Sequence, residues 1–271
     1  MRYSLMNKKK KKMSFNLILG TVLLMVTLIP AVVGLFWTPY DPETMNGSLK
    51  LAGVGIRHIY GCDNFGRDIF SRVMAGSGIT LLIAVGTVAF GGLIGTAIGA
   101  FTGYFGGVVD EILMRVNDVA LAFPSLLLAL VMVSLLGTGK YQVMLALGIA
   151  FIPSYARIVR AEYIRIKNLD YVKAAKLAGA SDLRIMFVHI LPNIKTVLLS
   201  SVMIGFNNAI LAEAGLSFLG IGVQPPDASL GRMLSEAQAY MFSNPGYVLF
   251  TGCTIVMIIL GFSLLSKEVG K

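Results

Sequence analysis

Apolar residues in this chain come in long runs rather than in the short stripes of amphipathic helices. Residues 13–40 carry no charged side chain, and neither do residues 73–109. A helix needs roughly 20 apolar residues to cross the hydrocarbon core of a bilayer, and the buried helices of soluble domains are shorter than these runs. Six segments predict spanning helices: residues 17–37, 77–103, 116–137, 141–163, 194–214 and 246–266. The first is expected to be a retained span, because its run is longer than a signal-peptide core and lacks a clear small-residue cleavage site before a polar region. The pattern predicts an all-α polytopic membrane protein with six transmembrane helices.

Two intervals cannot continue a span. Residues 38–76 hold Pro39, Pro42 and mixed charge, and residues 215–245 hold Pro225, Pro226 and Pro245. Within the second predicted span glycine recurs at every fourth position: Gly91, Gly95, Gly99, Gly103 and Gly107. Such a stripe predicts close approach of a neighbouring helix, with pore lining as the alternative.

Composition agrees with the pattern: 56% of the 271 residues are hydrophobic and 14% are charged, against about 25% charged in soluble domains. The net charge of +9 matters through its placement. Lys8 to Lys12 precede the first apolar run and predict a cytoplasmic anchor near anionic lipid headgroups. No aromatic residues interleave with them, which argues against nucleic acid. With the N-terminus inside, 17 of the 23 basic residues fall on cytoplasmic segments and 6 on external ones, so both termini are predicted to be cytoplasmic. The predicted organisation is a basic cytoplasmic N-terminus (1–16), a first span (17–37), an extracytoplasmic segment (38–76), a transmembrane core (77–266) that includes a cytoplasmic loop (164–193), and a short cytoplasmic tail (267–271).

Catalytic chemistry has little support. Cys62 and Cys253 are the only cysteines and His58 and His189 the only histidines, so no metal site is expected and both thiols are expected to be free. A phosphate-binding loop needs Gly-x4-Gly-Lys-Ser/Thr; the nearest string, Gly137 to Tyr141, lacks its first glycine and its hydroxyl residue. No nucleophile–base pair or carboxylate pair is visible. A membrane-embedded enzyme is the reading this disfavours; an ATP-independent channel or carrier stays open. Acids at membrane depth are costly and usually face a cavity or a partner, which singles out Asp118 and Glu213 for gating or the solute path, or for an interfacial polar contact. Asn207 and Asn208 are either interhelical hydrogen-bonding residues or solute contacts. Outside, Asp63, Arg67 and Asp68 either dock an external protein or pair within their own loop.

The longest internal segment, residues 164–193, predicts two short helices separated by Gly179. Residues 170–178 favour the first, Gly179 suits its C-terminal turn, and Ser181 or Asp182 starts a second with an apolar face ending at Pro192. On pattern alone this is either a docking knob or a loop lying on lipid. The segment resembles the EAA loop of bacterial ABC importer permeases: Ala174, Ala175, Gly179, Leu191 and Pro192 match it, while Lys173 stands where the glutamate is usual. The run from His189 to Asn193 is similar to that of the dipeptide, oligopeptide and nickel branch. So are Gly61, Asp63, Gly66, Arg67 and Asp68 before the second span, Gly103 to Gly107 with Asp110, Asp118, Phe123 and Pro124, and the stretch from Ile210 through Glu213 to Pro226.

The resemblance, spread over nearly the whole chain, is to the second, shorter permease of that branch. It implies the type I importer permease fold in the bacterial cytoplasmic (inner) membrane. It also implies a heterodimer with another permease, two cytoplasmic ATPase subunits and an extracytoplasmic solute-binding protein, with peptides or nickel, free or chelated, as cargo. The ATPase contact would involve Asp170, Tyr171, Lys173, Ala174, Ala175, Gly179, Ala180, Leu191 and Pro192. This chain would bind no cofactor, ATP and magnesium being used by the ATPases.

Overall fold

The computed structural model describes residues 15–269, and the side chains of 15–268. The basic run at Lys8 to Lys12 and the last two residues lie outside the described residues. Everything described is helix, turn or loop, apart from one isolated bridge between Cys62 and Asp68.

Helix α1 (Phe15–Val33) buries a narrow stripe, Gly20, Leu24, Thr27 and Ala31. Ile18, Val22, Val26 and Ile29 stay exposed on its other faces, as a lipid-facing helix requires. Helix α2 (Ile69–Phe105) is 37 residues long, or about 55 Å, well beyond the roughly 30 Å hydrocarbon core. It begins eight residues before the predicted span. Asp68 caps it by accepting the Ser71 N–H at 2.8 Å, and the charge of Arg72, which made the sequence read as loop, is met by partners from distant segments. Of the 38–76 interval, the stretch from Ile69 on is therefore helix.

The third span differs from its prediction. Instead of one helix over 116–137 there are two, α3 (Gly107–Ala122) and α4 (Ser125–Leu136), bent by 94° at Phe123–Pro124. Proline forces the preceding residue out of the helical region, and Phe123 is extended at φ −88°, ψ 137°. Helix α5 (Lys140–Lys167) follows, then α6 (Asp170–Leu177). The second loop helix is not a regular one: a three-residue turn α7 (Asp182–Arg184) opens into a π-helical turn (Ile185–Ile190) and a 3-10 turn (Leu191–Ile194). Helix α8 (Lys195–Phe218) continues from there, followed by α9 (Leu230–Gln238) and α10 (Pro245–Val269). Among the described residues five helical stretches are long and apolar enough to cross a membrane, or six if the bent α3–α4 pair counts as one broken span.

Helices α2 and α5 form the central pair, in contact along Gly91, Gly95, Gly99 and Gly103. A β-carbon at Gly95 would lie 2.6 Å from Tyr155 Cβ and 2.7 Å from the Ile152 carbonyl oxygen; at Gly103 it would lie 2.7 Å from both the Arg160 carbonyl oxygen and Tyr163 Cβ. Gly107, the fifth of the series, is not part of the seam: with φ +67° and open space around it, it begins α3. A second apolar cluster joins Ala100, Val159, Tyr163 and Ile166 to Val172, Ile185, Met186, Ile190 and Ile194. It fastens the loop between α5 and α8 to the adjoining ends of α2 and α5.

Candidate functional site

Helix α6 is held from one side only. Val172 is its buried residue, while Asp170, Tyr171, Lys173, Ala174 and Gly179 are exposed and Ala175 and Ala180 are half-buried. Leu177 is 90% exposed, an apolar side chain displayed at the free face. Gly179 closes the helix at φ +84° with nothing within 4 Å of its missing β-carbon, and Ala180 N–H donates to the Ala175 carbonyl at 3.1 Å. Beneath this face the attachments are polar as well as apolar. Lys167 Nζ donates to the carbonyls of Gly103 (2.7 Å) and Tyr104 (3.2 Å), so it neutralises the C-terminal end of α2. Tyr104 donates to Asp182 at 2.6 Å, Tyr163 to the Met186 carbonyl at 3.2 Å, and Tyr171 to the His189 carbonyl at 3.2 Å. Leu191 and Pro192 sit in the 3-10 turn leading into α8 and line an apolar cavity of 930 Å³ between α2 and α8. A push on α6 therefore reaches α2, α5 and α8 together.

Within the spans, polar side chains collect on one wall. Asp118 of α3 pairs with Arg157 of α5, and the two side chains are 62% and 59% exposed. Deeper in the same helix pair, Arg160 makes a bidentate contact with Asp110, at 2.5 and 2.6 Å. Asn117 donates to the Pro153 carbonyl at 3.3 Å. Asn208 borders a pocket of 180 Å³ with Ser125, Ser154, Tyr155 and Ser201. Asn207 is half-buried, and its side-chain oxygen has no hydrogen-bond partner among the described residues. Glu213 does not reach this wall. It is fully buried, accepting from Thr80 Oγ1 at 2.9 Å and Ser217 Oγ at 2.7 Å. Each hydroxyl in turn accepts a backbone N–H, Leu230 at 3.2 Å and Val223 at 3.0 Å. Glu213 thus ties α2 and α8 to the outer loop that enters α9.

In the segment before α2, Asp63, Arg67 and Asp68 are buried and engaged within the protein. Asp63 accepts from Arg67 Nε at 2.6 Å; Asp68 accepts from Ser71 Oγ at 2.7 Å and contacts His58 Nδ1 at 2.9 Å. The centre of this network is a residue the sequence did not single out: Glu236 of α9 meets Arg67 at 3.1 Å, Arg72 at 3.4 Å and Arg232 at 3.1 Å. Asn244 donates to the Cys62 carbonyl at 3.0 Å. Cys62 is buried and Cys253 exposed, both free. Among the described residues no group of three or more His, Cys, Asp or Glu is placed to hold a metal ion.

Comparison with known proteins places this architecture. Residues 95–267 match the family described as "Binding-protein-dependent transport system inner membrane component". The chain is 37% identical over 260 residues to the dipeptide transport system permease protein DppC of Haemophilus influenzae, covering 94% of this chain and 88% of that one. It is 38% identical over 247 residues to the glutathione transport system permease protein GsiD of Pectobacterium atrosepticum, covering 89% and 81%. In fold it is similar to a chain of the inward-facing MetNI methionine ABC transporter, with a TM-score of 0.63 at 16% identity over 73% of this chain and 94% of that one. With five or six candidate crossings, a helical loop fastened to three of the spanning helices and relatives along nearly its whole length, the chain belongs to the binding-protein-dependent inner membrane components. It is a multi-pass permease subunit of an ABC importer and not an enzyme.

Proposed function

We propose that this permease forms half of a pore for short peptides, paired with a second, different permease, driven by two cytoplasmic ATPases and loaded by an extracytoplasmic binding protein. The observation that carries the reading is α6, a helix exposed along Tyr171, Lys173, Ala174 and Leu177 and packed from behind onto the inner ends of the spans. A partner gripping that helix moves the wall of the pore. In this reading both termini and residues 164–193 are cytoplasmic, as the distribution of basic residues favours, while residues 38–68 and α9 face outward. Asp118, Asn207 and Asn208 belong to the path or its gate. Glu213 supports the outer loop, and Asp63, Arg67 and Asp68 shape the surface that receives the binding protein. Relatives named for dipeptides and for glutathione favour peptides over nickel.

The test uses the assembled transporter. Gly179→Asp places a charge at an open, outward-facing turn, and Ala174→Trp obstructs the exposed face. Both are expected to abolish uptake of a dipeptide and to weaken co-purification of the ATPases, with the permease still in the membrane. Normal uptake together with normal co-purification in both variants would refute the docking role of α6.

A further inference from the structure

We propose that the pocket at the α3–α4 break is a contact site for the peptide main chain within the translocation path. This deepens the peptide-pore reading and rests on it. The pocket, 180 Å³ in volume, is built from three helices: Ser125 from α4, Ser154 and Tyr155 from α5, and Ser201 and Asn208 from α8, over an apolar floor that includes Phe151. Its position is at membrane depth. Ser154 is about 21 Å along α5 from Lys140, inside a hydrocarbon layer of roughly 30 Å.

Three of its polar residues are exposed and idle. Ser125, Ser154 and Asn208 lie at the surface of the chain, and their side chains make no hydrogen bond among the described residues. Ser201 satisfies its hydroxyl on the Val197 carbonyl at 2.8 Å, and Tyr155 reaches the Ser201 carbonyl only at 3.4 Å. Polar groups with unused hydrogen-bonding capacity do not face lipid. They face water, solute or another protein.

The chemistry of the set selects among solutes. It offers hydroxyl and amide donors and acceptors and no charge, and its lining has none of the His, Cys or carboxylate ligands that a bare divalent cation takes. Uncharged groups of both polarities complement the peptide bond, whose N–H and C=O are common to every peptide whatever its side chains. Phe151, Ile158 and Ile204 leave an apolar surface for those side chains to slide against. The volume falls below the 300–1,000 Å³ of sites that engulf a ligand, so the pocket is a half-site that the second permease completes. A few neutral contacts also suit transport, where binding must be weak enough to let the solute leave. The exposed Asp118–Arg157 pair stands beside this wall, since Arg157 and Ser154 are neighbours at i and i+3 on α5.

The experiment uses the complete transporter in proteoliposomes with its binding protein, a defined dipeptide and ATP. Ser154→Cys and Asn208→Cys are each made in a Cys253→Ser chain and exposed to a charged, water-soluble thiol reagent. Both cysteines should be labelled, the label should block uptake, and turnover with dipeptide should slow the labelling. Ser154→Ala and Asn208→Ala should each lower dipeptide uptake about five-fold, the value of one neutral hydrogen bond, with ATP hydrolysis and assembly retained. Labelling that fails at both positions, or labelling that dipeptide leaves unchanged, would overturn the proposal and make the serines a packing contact. If the unmodified transporter itself takes up no dipeptide, the peptide reading falls before the pocket is tested.

Discussion

The contact between α2 and α5 permits a quantitative test, because four glycines make it and a fifth, close by, does not. A β-carbon at Gly91 would sit 2.7 Å from the Gly148 carbonyl oxygen, at Gly95 2.6 Å from Tyr155 Cβ, and at Gly103 2.7 Å from the Arg160 carbonyl oxygen; Gly99 is tighter still, against the Ala156 carbonyl. Ordinary contact begins at about 3.4 Å, so each alanine requires the helices to part by something near 0.7 Å, and the obstacle is backbone or a Cβ that cannot rotate away. Overpacking of this kind costs about 1–3 kcal/mol per site, while glycine to alanine returns about 1 kcal/mol of helix propensity. The net expected for Gly95→Ala or Gly103→Ala is a loss of about 0–2 kcal/mol. The double variant is expected to lose more than either single one but less than their sum, because one parting of the two helices relieves both clashes. Gly92→Ala is the control: its nearest neighbour is Tyr155 Cζ at 3.8 Å, so it keeps the propensity gain without the clash. Thermal unfolding of the detergent-solubilised permease, followed by loss of the monodisperse gel-filtration peak, should rank Gly92→Ala at or above the parent and the Gly95→Ala, Gly103→Ala double variant clearly below it. Equal midpoints for the control and the double variant would refute the close-contact reasoning.

Glu213→Leu removes the acceptor of two buried hydroxyls, Thr80 and Ser217, at about 1–3 kcal/mol each, whereas Glu213→Gln keeps an acceptor and should cost less than half as much. Protease susceptibility of the 219–229 loop should rise in the leucine variant and stay near the parental level in the glutamine variant. The Cys62 thiol is pushed up from its ordinary 9.0 to about 11, first by burial and then by the charges of Asp68 and Asp63. Maleimide should therefore fail to label it in the folded protein at pH 7 and should label it after denaturation; fast labelling of the native protein contradicts the buried placement. Because the folded thiol is the more weakly acidic, its contribution to stability is complete below about pH 9 and is lost as the pH rises toward 11. The unfolding midpoint should fall over that window, and Cys62→Ser should make the fall shallower.

What could be read from the chain alone was whatever depends on near neighbours. Five of the six crossings follow from run length, and the glycine spacing of four marked a helix seam, because side chains four apart share a face. The same spacing carried Gly107 into the pattern wrongly, since a repeat does not tell where its helix ends; there the break comes from Gly106 and Gly107, both at positive φ. Pro124 was in plain view, and a proline inside an apolar run is often tolerated by membrane helices, so the 94° bend it makes here depends on what α3 and α4 pack against. Helix α4 buries Ala129 and Val133 in the main core, whereas α3 buries only Asn117. The outer charges are the opposite case. Arg67 and Asp68 read either as a docking motif or as a pairing within their own loop, and the loop pairing is present, yet the acid that also meets Arg67 and Arg72 is Glu236, more than 160 positions away. No local rule points from one to the other. The polar wall has the same origin: Ser125, Ser154 and Ser201 are unremarkable one at a time, and become a site only because the bend brings the start of α4 against the middle of α5 and α8. In the proposed reading, function is carried by features that break local regularity, the bend and the exposed polar groups beside it, whereas the regular helices supply the frame that holds them in register.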